Sequence, residues 1–100
     1  MPTQSARRGT LFTSDGKLKL LNKKYETDTY PIDKECSCFV CKNYTRAYIR
    51  FLLREEEASG MELASFHNIF FMHRLIDEVK TALKKNTFQL FVKKIKSVYR

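Results

Sequence analysis

Apolar and polar positions along this chain change period from one segment to the next, and each change marks an element. Leu11-Phe12 and Leu18-Lys19-Leu20 are short β-compatible runs on either side of Asp15-Gly16, a pair suited to the positive φ angles of a tight turn. They predict a β-hairpin. Residues 22 to 35 are mostly polar, include Pro31 and follow no period, which predicts an ordered connection or a short strand leading to the cysteines. Tyr44, Ala47, Tyr48, Phe51 and Leu52 repeat at i, i+3, i+4, i+7, i+8 and predict a helix with Asn43 as N-cap. Glu55-Glu56-Glu57 followed by Ser59-Gly60 reads as its solvated end and a turn. A second helix is expected to start near Ser65, with Ile69, Met72, Ile76, Val79 and Leu83 as its apolar stripe. Asn86-Thr87 breaks the chain. A last helix carries Phe88, Phe91, Val92, Ile95 and Tyr99 on one face, and Lys93, Lys94 and Lys96 elsewhere, as a solvated basic face. A hairpin and about three amphipathic helices make an α+β fold, with no internal repeat or low-complexity segment.

Composition narrows this picture in one respect. A chain of 100 residues with 43% hydrophobic and 30% charged side chains is an ordinary folded domain. Domains of this size bury only about 60–70% of their extended surface, so a small core gains from a staple. Net charge is +8 and sits at the two ends: residues 1–24 hold six Lys or Arg against Asp15, and residues 84–100 hold six against no acid. Such a distribution fits a polyanionic partner as well as a solvated surface. No apolar run approaches the ~18 residues of a membrane span, and the first residues lack the apolar middle of a secretion signal, so a cytoplasmic protein is expected.

Candidate chemistry is concentrated in Glu35-Cys36-Ser37-Cys38-Phe39-Val40-Cys41, which contains every cysteine of the chain. In a reducing compartment an odd number of tightly spaced cysteines favours metal or redox chemistry over a disulfide framework. A structural Zn²⁺ takes four N or S ligands in a tetrahedron, of which Cys36, Cys38 and Cys41 supply three. Only two histidines can complete the set. His67, at the expected start of the second helix, is the candidate; His73, four residues after Ile69, reads better as a histidine bordering the apolar stripe. Other readings stay open. Cys38 and Cys41 have the spacing of a redox pair, although no βαβ pattern surrounds them. Three buried thiols, or a nucleophilic Cys–His pair without a visible oxyanion hole, are further alternatives. A closed Cys₃His shell would leave no position for a catalytic water, so a zinc ion here would be structural.

Three segments in order, Pro2-Thr3 with Ala6-Arg7-Arg8-Gly9-Thr10-Leu11-Phe12-Thr13-Ser14-Asp15-Gly16-Lys17-Leu18, then Cys36-Ser37-Cys38-Phe39-Val40-Cys41-Lys42-Asn43-Tyr44-Thr45-Arg46-Ala47-Tyr48-Ile49-Arg50, and a histidine 26 residues after Cys41, resemble the C-terminal part of bacterial-type tRNA-guanine transglycosylase, also called queuine tRNA-ribosyltransferase. The resemblance covers nearly the whole chain. It implies an enzyme that replaces guanine at the tRNA wobble position with a 7-deazaguanine base, built on a TIM-type barrel with a zinc subdomain that helps to bind tRNA and contributes to a homodimer. The implied zinc ligands are Cys36, Cys38, Cys41 and His67, one ion per chain. The implied organisation is a loop after the last barrel strand (1–9), a zinc-binding subdomain (10–67) and C-terminal helices (68–100).

The resemblance also shows what is missing. The family's nucleophilic aspartate precedes the motif to which Met1-Pro2-Thr3 corresponds, and its second aspartate and base pocket lie further upstream, so no catalytic residue is assigned in this chain. A barrel takes about 250 residues. The chain is therefore expected to be a C-terminal fragment or a truncated or split product, inactive alone, completed by a full-length homodimer or a separate barrel half. Its alternative is a free-standing zinc-stabilised RNA-binding module or docking subunit. Arg7 matches a basic position that contacts tRNA in the family, whereas Gln4 stands where arginine is usual; Arg8, Lys17 and Lys19 could approach phosphates without specificity.

Overall fold

In a computed structural model, which describes Ala6 and residues 8–99, β1 (Thr10–Thr13) and β2 (Gly16–Lys19) pair antiparallel with Leu11 opposite Leu18 and Thr13 opposite Gly16. The hairpin is where the alternation predicts it. Of the Asp15-Gly16 pair only Gly16 takes a positive φ, at 116°. Asp15 instead donates its N–H to Thr13 Oγ1, which donates to the Gly16 carbonyl at 2.7 Å. Leu11, Leu18 and Leu20 turn inward, and Lys17 and Lys19 outward.

The connection that follows forms no strand and is ordered by side chains instead. A 3-10 turn spans Lys23–Tyr25, capped by the Asn22 side chain. Arg46 reaches back to Asp28 at 3.2 Å and to the carbonyls of Pro31 and Ile32. A short helix, α1 (Phe39–Asn43), begins on the cysteines and precedes α2 (Arg46–Arg54). Asn43, expected as the N-cap of the helix after the cysteines, is the last residue of α1. Extended backbone at Tyr44 separates the two helices, and Thr45 caps α2 by accepting the Tyr48 N–H at 3.1 Å.

The spine is α3 (Ala58–Lys84), on which the hairpin, α1, α2 and α4 (Phe88–Val98) all pack. It starts seven residues before Ser65. Glu56, at φ 56°, ends α2, and the chain re-enters helix at once, so Ser59-Gly60 form a first helical turn where a loop was expected. Gly60 lowers helix propensity but fits the crossing: a Cβ there would lie 2.8–2.9 Å from Leu52 and the Leu53 nitrogen. The helix also runs unbroken through residues 67 and 68, the expected division between subdomain and C-terminal helices.

Its buried face differs from the expected stripe. Gly60, Ala64, His67, Asn68 and Phe71 are buried, whereas Ile69, Ile76 and Leu83 are 43%, 51% and 56% exposed. Likewise α2 buries Ile49, Arg50 and Leu52 and leaves Phe51 58% exposed. Small and polar residues let the short elements approach the spine closely, and the large apolar side chains face outward. The core (Ala6, Leu11, Leu18, Leu20, Ile32, Val40, Ile49, Ala64 and the cysteines) therefore sits at one end of a molecule whose principal extents are 46, 23 and 21 Å. Among the described residues, no helix is long and apolar enough to cross a membrane.

Candidate metal centre

Cys36 lies at the end of the connection, Cys38 is the N-cap of α1, Cys41 lies in its first turn, and His67 projects from the middle of α3. All four are buried, His67 completely, and their ligating atoms lie within 4.8 Å of one another. His67 Nδ1 is 3.9, 3.6 and 3.3 Å from the sulfurs of Cys36, Cys38 and Cys41. A tetrahedral Zn²⁺ with S at ~2.3 Å and N at ~2.0–2.1 Å places each sulfur roughly 3.6 Å from the nitrogen. The observed distances straddle that value, so the cluster can enclose one metal ion.

Backbone geometry prepares the donors. The Cys36 sulfur accepts the Cys38 N–H, and the Cys38 sulfur accepts the Cys41 N–H at 3.4 Å as the cap of α1. His67 Nε2 is 2.7 Å from the Phe12 carbonyl. A carbonyl only accepts, so the proton belongs on Nε2 and the Nδ1 lone pair faces the sulfurs, the arrangement by which an outer partner fixes a histidine ligand. The thiol of Cys41, donating to Cys38, draws the Cys38 pKa down to about 3 against the opposition of burial. The same bond, together with burial, pushes Cys41 up, and burial raises Cys36. Of the three sulfurs, Cys38 is thus the one that most readily gives up its proton.

The cysteine segment is tied to the hairpin by Asp33, whose carboxylate accepts the Ser14 N–H at 2.8 Å and the Glu35 N–H at 3.0 Å. Arg74 of α3 donates to the Glu35 carbonyl and the Ser14 hydroxyl.

The sequence of the whole chain, residues 1–100, matches the family model for queuine tRNA-ribosyltransferase. This chain belongs to the queuine tRNA-ribosyltransferase family. It is 46% identical over 93 residues to the queuine tRNA-ribosyltransferase of Fusobacterium nucleatum, which covers 93% of this chain and 25% of that protein. It is 46% identical over 91 residues to that of Halothermothrix orenii (91% and 24%) and 48% identical over 86 residues to that of Bacillus subtilis (86% and 23%). The chain thus spans about a quarter of the length of these relatives, in their C-terminal part.

Within this family member, the four side chains expected as ligands come together, and His73 stays exposed on α3, outside the cluster. Arg7 lies outside the described residues. Arg8, Lys17 and Lys19 are exposed. Sequence reasoning missed Asn68. It is buried beside His67 and accepts the Phe12 N–H at 3.0 Å while donating to the Thr10 carbonyl at 3.1 Å, as a neighbouring strand would. A polar residue directly after the candidate ligand was the available signal.

Proposed function

We propose that this chain is the C-terminal, metal-holding part of an enzyme that exchanges guanine for a 7-deazaguanine base at the tRNA wobble position. In it, Cys36, Cys38, Cys41 and His67 hold one structural Zn²⁺. The observation that carries this reading is the buried Cys₃His cluster within a chain of this family. Three sulfurs and one nitrogen at tetrahedral spacing suit Zn²⁺, and a full shell leaves the ion no place for a reacting water. When bound, the ion supplies cohesion. It ties the connection, α1 and α3 into one unit beside the hairpin, which presents Lys17 and Lys19 to solvent.

Base exchange belongs to the assembled enzyme, whose catalytic aspartates the resemblance assigns to a barrel outside this chain. tRNA is the substrate that the relatives' name implies, Arg7 is its contact here, and the cytoplasm is where such a substrate is modified. The outward stripe of Ile69, Ile76 and Leu83 supports packing against a barrel, for which the remaining three quarters of the relatives' length has room. Exposed Phe39, Tyr48 and Phe51, around Tyr44 stacked on Tyr48 at 5.5 Å, support a homodimer contact in the full-length enzyme.

The test is to purify the chain, measure its metal, and assay incorporation of radiolabelled guanine into tRNA, alone and mixed with the barrel portion of the Bacillus subtilis relative. One zinc per chain, no incorporation alone and incorporation on mixing are expected. A metal-free folded chain, or base exchange by the chain alone, overturns the reading.

A further inference from the structure

The last helix presents a puzzle of attachment, because α4 buries none of its own residues, yet it lies along α3. Its tie is Tyr99, the residue that ends it. The Tyr99 ring packs against Phe12 and Phe71 with centroid distances of 6.4 Å to each, and those two rings are 6.3 Å apart. Its hydroxyl donates to the Thr13 carbonyl. Burial pushes the Tyr99 phenol up, which keeps that donor protonated. The preceding residue closes the same contact: a Cβ at Gly16 would lie 3.3 Å from the Val98 carbonyl oxygen, so α4 ends against the hairpin turn.

The strand residue held in this way, Phe12, also touches the metal cluster. Its carbonyl accepts the hydrogen bond of His67 Nε2–H, and Phe71, the third ring, is 6.5 Å from the His67 imidazole. Thr13 and Phe12 are consecutive, so a clamp on the Thr13 carbonyl limits how far the Phe12 peptide can swing. We propose that Tyr99 is a positioning residue for the metal centre: by clamping the end of β1 it fixes the carbonyl that orients His67, and α4 is thereby a latch that slows metal loss. This rests on the reading that the Cys₃His cluster holds a metal. Outer partners of a metal-bound histidine commonly change metal affinity by about 10–100-fold, and Tyr99 acts one peptide further out, at the lower end of that range.

The test loads the full chain with Co²⁺, follows its thiolate charge-transfer and visible d–d absorption, and times the loss of those bands to excess EDTA. Tyr99→Phe, which keeps the ring and removes only the hydroxyl, is expected to release Co²⁺ about tenfold faster with a shifted d–d spectrum. Tyr99→Leu should release it faster still, and Leu90→Ala, on the outer side of the same helix, at the unaltered rate. Release and spectrum unchanged in both Tyr99 variants overturn the proposal while leaving the metal centre standing. Absence of a thiolate band in the unaltered chain overturns the metal reading and this proposal with it.

Discussion

The two halves of α3 are built on opposite plans. From Ala58 to Phe71 the helix buries Gly60, Ala64, His67, Asn68 and Phe71 against α2, the hairpin and the cysteine segment. From Met72 to Lys84 only Ala82 is buried, and the neighbour, α4, buries nothing of its own. Cohesion in the first half comes from close approach and side-chain bonds to strand backbone, around four convergent side chains able to hold a metal ion. The second half is a helix pair joined along an open groove and tied at Tyr99. A hundred residues bury too little for two cores, so the fold concentrates its stability at the metal end and leaves large apolar side chains on the other.

Removing the metal is the most severe way to break this contrast. Binding of a structural zinc releases about 10–16 kcal/mol in small modules, comparable to the whole stability of about 5–15 kcal/mol of an ordinary domain. Cys38→Ser and His67→Ala should therefore abolish cooperative melting of the hairpin and α1, seen as loss of dispersed amide signals at residues 10–45, while His73→Ala melts like the unaltered chain. The protonation pattern sharpens the same test. Cys38 is already a thiolate near neutrality, whereas Cys36 and Cys41 are raised and must each lose a proton to ligate. Loading should release two protons per ion, so metal affinity falls about a hundredfold for each unit of acidification between pH 8 and 6. Calorimetric titrations in buffers of different ionisation enthalpy count those protons.

Much of the metal end was legible because local chemistry dictates it. Cysteine spacing brought three candidate ligands together, since sulfurs at a helix N-cap and first turn converge wherever that turn forms, and the Asp-Gly pair between apolar runs placed the hairpin. The burial of α3 was not legible. Its periodicity picks out Ile69, Met72, Ile76, Val79 and Leu83, which is an apolar face, but which face is covered depends on what approaches. Here Gly60 admits α2 closely, and His67 and Asn68 find hydrogen-bonding partners in β1, so the small and polar side wins within this chain. A sequence pattern reports the capacity to be buried, and the partner decides its use.

Asn68 gives the next largest effect. Asn68→Ala would strip partners from the Phe12 N–H and the Thr10 carbonyl, and an unsatisfied buried polar group costs about 1–3 kcal/mol. A fall in melting temperature of about 4–8 °C per kcal/mol is expected for a domain of this size, measured on the metal-loaded chain. Asn68→Asp keeps the acceptor for Phe12 but sets a buried carboxylate against the Thr10 carbonyl, so it should cost at least as much as alanine.

Gly60 tests close packing alone. Alanine favours helix over glycine by about 1 kcal/mol, but the added methyl would meet Leu52 and Leu53 atoms at 2.8–2.9 Å, two of them backbone, and overpacking costs about 1–3 kcal/mol. The net change in Gly60→Ala should be destabilising by about 1 kcal/mol, read as an earlier urea midpoint. A stabilised variant would show that the α2–α3 crossing has slack.

The smallest effect on stability belongs to the outer stripe, and that is its significance. Ile76 and Leu83 remain 51% and 56% exposed in the folded chain, and glutamine keeps an aliphatic stem for the part that packs, so Ile76→Gln and Leu83→Gln should each shift the stability of the isolated chain by only about 0.5 kcal/mol. Covering the remaining half of each side chain against a partner would contribute about half of the ~1.5–3 kcal/mol of a fully buried one. The double variant should therefore melt like the unaltered chain and yet bind the barrel portion of a relative at least tenfold more weakly by calorimetry. Equal binding would mean that the barrel docks elsewhere; a collapsed melting temperature would mean that the far half of α3 is more tightly packed than its exposure indicates.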